Sequence, residues 1–378
     1  MHRSADAVVV TSFAHLRTES GHSYRGPEWA RGGLDRPGRD TPGYDLNHSV
    51  ARVTVMTENT TRRWGLTVPL DGIPLPDQRR IIEELPDLGY TDVWSSEAGA
   101  ADAFTPLTLA SVWAPGLRLG TAIVPVYTRG PATLAMSAAS LAAAAPGRFV
   151  LGVGTSSDVI VEKWNGIPFE EPFKRARDTL RFLRAALAGE KVSEKYDTFA
   201  VDGFRAGVVP DPAPPVLLAA LRPGMLRLAG READGAIINW LSADDVRTVA
   251  PYVHEGGENK EIVARIFVLP GFDTETARAI GRRMIAAYMN VPVYRAFHEF
   301  LGRSDDFAGM WKAWAEGDRK AALEAIPDHV VDALVIHGEP EACREHVERY
   351  VEAGVTTPAI ALVPSGDPAP MIRALAPR

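Results

Sequence analysis

Cysteine is almost missing from this 378-residue chain. Cys343 is the single one, so no intrachain disulfide can form and a reducing compartment is permitted. Metal-ligand patterns are missing as well. There is no His-x-x-x-His helix, cysteine cluster or acidic calcium loop, and His2, His15, His22 and His48 follow no ligand spacing; a dedicated metal site is set aside. No Gly-x-Ser-x-Gly elbow offers a serine nucleophile. Cys343 sits in the charged stretch EACREHVERY, a poor setting for a reactive thiolate. An excess of basic charge is also lacking: 41 Lys and Arg face 48 Asp and Glu, a net charge of −7. That balance argues against a nucleic-acid partner or a polybasic membrane anchor. The longest run of apolar and small residues, 134–145, is about half of what a membrane span needs. Residues 7–10 are too short for a secretory apolar core. The chain reads as a cytoplasmic protein without a membrane or nucleic-acid partner.

What is present has the composition of a soluble globular protein, 46% hydrophobic and 24% charged. Residues 1–60 differ from the rest, being rich in Gly, Arg, Ser, Thr and His without sustained apolar periodicity. They are expected to form a disordered extension, or to be translated sequence upstream of a start at Met56. The folded domain is assigned to 61–378.

From Trp64 onward, short β-rich apolar runs alternate with helical patterns. Strands are expected at 64–70, 91–95, 119–124, 148–153, 216–221, 236–240, 262–269 and 359–363. Residues 131–145 show the helix between the third and fourth, opened by Pro131 and stopped by Pro146-Gly147. Further helices are expected at 104–113, 169–188, 225–229 and 341–353. Residues 191–213 break the rhythm and read as a hairpin-like excursion, and 274–326 as a long helical insertion. Eight strands alternating with helices point to a single (β/α)8 TIM-like barrel with insertions. A doubly wound sheet would need fewer strands.

In such a barrel the loops after the strands carry the chemistry. The loop Gly152-Val153-Gly154-Thr155-Ser156-Ser157 is the best candidate for a phosphate cradle, because glycines let backbone N–H groups approach an anion and hydroxyls add donors. It lacks the Lys of a P-loop, and its third dinucleotide-fingerprint position is Ser157 rather than Gly. A plain βα turn stands beside that reading. Glu97 follows the second strand as a candidate acid or base, with a surface or capping carboxylate as the alternative. Asn239 closes the sixth strand. Ala219-Ala220-Leu221-Arg222 places small residues and then a cation at the end of the fifth.

The stretches LRLGTAIVPVYTRGPATLAMSAASL, GRFVLGVGTSSDVIVEKWNGIPF, PVLLAALRPGMLRLAGREADGAIINWLS and GEPEACREHVERYVEAGV together resemble the luciferase-like monooxygenase superfamily. Within it, they resemble the coenzyme F420-dependent oxidoreductases. The resemblance implies a flavin or deazaflavin at the carboxyl ends of the strands, with a non-prolyl cis peptide, here Ala122-Ile123, beneath the ring. It maps phosphate contacts onto Gly154, Thr155 and Ser156, with Ser157 beside them, and onto Ala219, Ala220 and Leu221. Arg222, and after it Lys174 or Arg177, would meet an anionic tail. Where the family's sugar-phosphate dehydrogenases carry an Asp-His pair and a catalytic Glu, this chain has Glu97-Ala98 and Ser157. That argues against sugar-phosphate oxidation and leaves Glu97 as the acid/base candidate. The leading expectation is an F420-dependent oxidoreductase moving a hydride to or from a small organic substrate. The alternatives are an FMN-dependent monooxygenase that reduces molecular oxygen and a flavin-binding protein without turnover. The resemblance also implies a homodimer.

Overall fold

Short runs of three to ten residues, mostly apolar, supply the strands β1 (Gly65–Thr67), β2 (Asp92–Ser95), β3 (Arg118–Thr121), β4 (Phe149–Gly154), β5 (Val216–Ala219), β6 (Gly235–Asn239), β7 (Glu261–Pro270) and β8 (Thr357–Leu362). The structure is a computed structural model that describes residues 62–99 and 101–377. The extension expected at 1–60 lies outside the described residues. Neighbouring strands pair in parallel, and the ring closes where β8 meets β1 with Ala359 opposite Gly65. The (β/α)8 barrel is therefore the fold; a doubly wound sheet would leave two open edges.

Inside the ring, Trp94, Val150, Leu217, Ile237, Val263 and Ala359 form one apolar cluster. Glycine makes room for its largest member: a Cβ on Gly120 would lie 2.2 Å from the Trp94 ring. Such filling makes the lower barrel a packed core rather than a pore. At the amino ends of the strands Arg118 bridges Asp92 at 3.2 Å and Glu261 at 2.6 Å.

Helices cover the outside, many opened by proline at the first turn, as at Pro131–Ala144, Pro172–Leu187 and Pro223–Glu232. The excursion at 191–213 contains an antiparallel hairpin of Val192–Lys195 and Ala200–Phe204.

Two details differ from expectation. The third strand does not run unbroken to Val124: β3 ends at Thr121, and Val124–Pro125 makes a separate short pairing with the end of β4. The apolar pattern continues across the break, so periodicity does not reveal it. The helical insertion expected at 274–326 is present after β7 as Thr274–Met289, Pro292–Phe300, Ser304–Ala315 and Arg319–Glu324. Pro292 starts the second, and Gly302 and Gly317 turn the chain at φ 82° and 83°. Beyond it, Val335–Gly338 adds an unexpected strand along the outer half of β7, with Val335 opposite Phe267. Among the described residues no helix is long and apolar enough to cross a membrane.

Candidate active site

A cavity of about 1040 Å³ opens at the carboxyl ends of the strands. Its β3 wall is the Ala122–Ile123 segment, whose peptide bond is cis. Two backbone hydrogen bonds hold this segment: Ala122 N donates to Ser95 O at 2.6 Å, and Glu97 N donates to Ile123 O at 3.1 Å. The end of β2 therefore fixes the end of β3.

The Glu97 side chain lines the cavity but is not free. Its Oε1 accepts from Arg129 Nε at 3.1 Å, Arg129 Nη2 at 2.7 Å and Ala103 N at 3.3 Å. Arg129 also lies over the Phe104 ring at 4.9 Å. Nothing local marks Arg129 in the sequence, since its partner is 32 residues away. The carboxylate anchors the loop as well as facing the cavity.

After β4, Thr155, Ser156, Ser157 and Asp158 turn across the cavity mouth. Ser156 has φ 61°, in the left-handed region where a side chain is uncommon. Ser157 Oγ accepts from Ile160 N at 3.4 Å, which starts the following turn of helix. Gly154 is not on the cavity wall. It stands behind Ile123, where its missing Cβ would come within 2.7 Å of the Ala219 Cβ. Its role is spacing.

After β5, Ala219, Ala220, Leu221 and Arg222 reach the same cavity. The Ala220 N–H is already given to Ile237 O at 3.0 Å, so this residue contributes room rather than a donor. Arg222 is exposed beside the amino end of the ten-residue Pro223–Glu232 helix, and among the described residues no carboxylate pairs with it. The helix dipole adds to its attraction for an anion. Lys174 and Arg177 do not join it. Lys174 pairs with Glu171, and Arg177 pairs with Asp178 at 2.6 Å and Asp197 at 2.7 Å, tying its helix to the hairpin.

Asn239, at the end of β6, donates from Nδ2 to the Tyr294 hydroxyl at 3.4 Å, while its Oδ1 accepts from Trp240 N at 3.0 Å. Burial pushes the Tyr294 phenol well above its usual range, so it stays protonated. Arg265 of β7 stands in register with Asn239 and also lines the cavity. It went unnoticed in the sequence, although a lone cation inside the run EIVARIFVLP was a usable signal. The remaining wall is largely apolar, with Phe173, Met225, Ile237 and Phe300 prominent. Cys343 is remote from it. It is buried beneath Gly338, where burial pushes its thiol up to about 12. Among the described residues no cluster of metal-ligating side chains occurs.

The model of the luciferase-like monooxygenase family matches residues 51–357. The 5,10-methylenetetrahydromethanopterin reductase of Methanolobus tindarius is 27% identical over 285 residues, which span 71% of this chain and 84% of that protein. The F420-dependent glucose-6-phosphate dehydrogenase of Rhodococcus hoagii is 27% identical over 281 residues, 69% of this chain and 78% of its own. Among solved structures, the coenzyme F420-dependent tetrahydromethanopterin reductase from Methanopyrus kandleri shares the fold, with a TM-score of 0.68 at 20% identity, over 83% of this chain and 97% of that one.

Proposed function

The chain belongs to the luciferase-like monooxygenase family, and on that premise we propose that it is an F420-dependent oxidoreductase acting on a small organic substrate. One observation carries the reading. The cis Ala122–Ile123 wall, the hydroxyl-bearing loop Thr155–Ser157 and the uncompensated cation Arg222 all line a single cavity. A planar ring fits against the first, and a phosphate with an anionic tail against the other two. When bound, the deazaflavin supplies two-electron hydride chemistry.

The chain's own residues then hold and orient. Ala122 and Ile123 support one face of the ring. Thr155, Ser156 and Ser157 donate hydrogen bonds to the phosphate, and Ala219 and Ala220 leave room for it beside Leu221. Gly154 keeps Ile123 in place, and Asn239 fixes the Tyr294 hydroxyl. Glu97 serves as the acid or base, with Oε1 tied to Arg129. The apolar walls exclude water. Exposed Val112 and Met136, at 76% and 49% on the Phe104–Trp113 and Pro131–Ala144 helices, support a homodimer through that side. A cytoplasmic location accords with the single buried cysteine.

Titration of the purified protein with F420 and with FMN, read by intrinsic fluorescence, tests the assignment. Oxygen consumption by each reduced complex follows. Tight F420 binding without oxygen uptake is the expected result. FMN binding with oxygen uptake would make the protein a monooxygenase instead, and binding of both without turnover of any acceptor would make it a flavin-binding protein.

A further inference from the structure

The alternation of β7 directs Val263, Arg265 and Phe267 to the same face. Val263 belongs to the cluster inside the barrel, so Arg265 stands above that core and looks into the cavity. Its guanidinium lies 4.8 Å over the Phe267 ring. Its Nε is buried without a hydrogen-bond partner, and among the described residues no carboxylate pairs with it. The acidic side chains on the cavity wall face other cations: Glu97 binds Arg129 at 2.7 Å, and Asp158 faces Lys163 at 3.9 Å. Guanidinium groups keep their charge in proteins. A permanent cation in a mostly apolar chamber lacks its counter-anion until a ligand brings one.

Two neutral donors stand beside it. Asn239 is its cross-strand neighbour, and the Tyr294 hydroxyl accepts from Asn239 Nδ2 at 3.4 Å, which leaves its own proton free to donate. A planar fork flanked by two neutral donors matches a carboxylate, which takes two parallel hydrogen bonds from Arg and has lone pairs to spare. The location separates this group from the cofactor. β3 and β7 are four strands apart in a ring of eight, so a ring lying on Ala122–Ile123 turns its other face toward Arg265. The anionic tail has Arg222.

We propose that Arg265, Asn239 and Tyr294 form the receptor for a substrate carboxylate, so that the enzyme acts on small, mostly apolar monocarboxylic acids. This rests on the cavity being the active site of the oxidoreductase proposed above. Arg265 is a specificity-determining residue here, not an acid or base.

The test uses the full-length protein saturated with F420, and separately without it. Calorimetry compares acetate, hexanoate and benzoate with their neutral amides. At least one acid is expected to bind more tightly than its amide. Arg265→Met should weaken the acid by about 10- to 100-fold, leaving the amide and F420 unaffected. Arg265→Lys, which keeps the charge but loses the fork, should fall between. The proposal is overturned if no acid outbinds its amide, if Arg265→Met leaves the preference intact, or if it weakens F420 instead. If F420 fails to bind while the Arg265-dependent preference persists, the cofactor assignment fails and the carboxylate receptor stands.

Discussion

Ile123 rests against the bare backbone of Gly154: a Cβ built there would lie 3.3 Å from both Cγ1 and Cδ1 of Ile123. The glycine that looked like part of a phosphate cradle is the seat of the cavity's β3 wall. In Gly154→Ala the added methyl would meet the Ala219 Cβ first, at 2.7 Å, and then Ile123, and is expected to displace both cavity-lining residues. The substitution should cost about 1–3 kcal/mol of stability and weaken F420 binding. Thermal unfolding and fluorescence titration check both. Unchanged affinity would separate Gly154 from the ring.

Ser156 holds φ 61° on the cavity mouth. Ser156→Glu would set a carboxylate against the phosphate and is expected to weaken F420 binding at least about tenfold. Ser156→Gly suits the backbone and should leave stability equal or higher. Equal F420 affinities in the wild type and the Glu variant would move the phosphate elsewhere.

Glu97 and Arg129 allow anchoring and chemistry to be told apart. Both variants break the ion pair, but Arg129→Met keeps the carboxylate and loses the cation, whereas Glu97→Gln keeps the cation and loses the carboxylate. Both should lower stability by about 1–2 kcal/mol, since each side chain is partly shielded. An acid/base role for Glu97 predicts a further fall in kcat, about 100-fold, in Glu97→Gln alone, with KM little changed. Turnover of Glu97→Gln no lower than that of Arg129→Met would leave Glu97 as an anchor.

At the other end of the barrel, burial alone would raise the Glu261 carboxyl, but hydrogen bonds and charge from Arg118 outweigh it and hold it below the usual glutamate range. A depressed carboxylate stabilises the fold above its ordinary value, and that contribution is lost as pH falls through the native one. Glu261→Gln should therefore be less stable than wild type at neutral pH, and the gap should narrow in acid. Denaturant unfolding at neutral pH and in acid measures it. A gap that stays constant would deny the linkage.

Much of the candidate site was legible because α/β barrels carry their ligand sites at strand ends, and strand ends are marked locally. Glu97, Asn239, the hydroxyl loop and the Ala219–Arg222 turn each follow an apolar run, and all of them reach one cavity. Arg265 was hidden by the opposite rule: it lies within a strand rather than after it, and only its inward side gives it meaning. Lys174 and Arg177 were misleading for a third reason. A basic helix face looks available until the acidic partners at Glu171, Asp178 and Asp197 are seen.

The sequence by itself determined the order of strands and helices, because apolar period, proline starts and glycine stops act over a few residues. From eight such repeats the barrel followed. Only the tertiary structure decided which charges are already paired, where the third strand breaks, and that Gly154 backs Ile123 instead of facing the cavity. Those outcomes depend on atoms brought together by ring closure, across separations of 32 residues for Glu97 and Arg129 and 143 for Arg118 and Glu261, which no local pattern encodes.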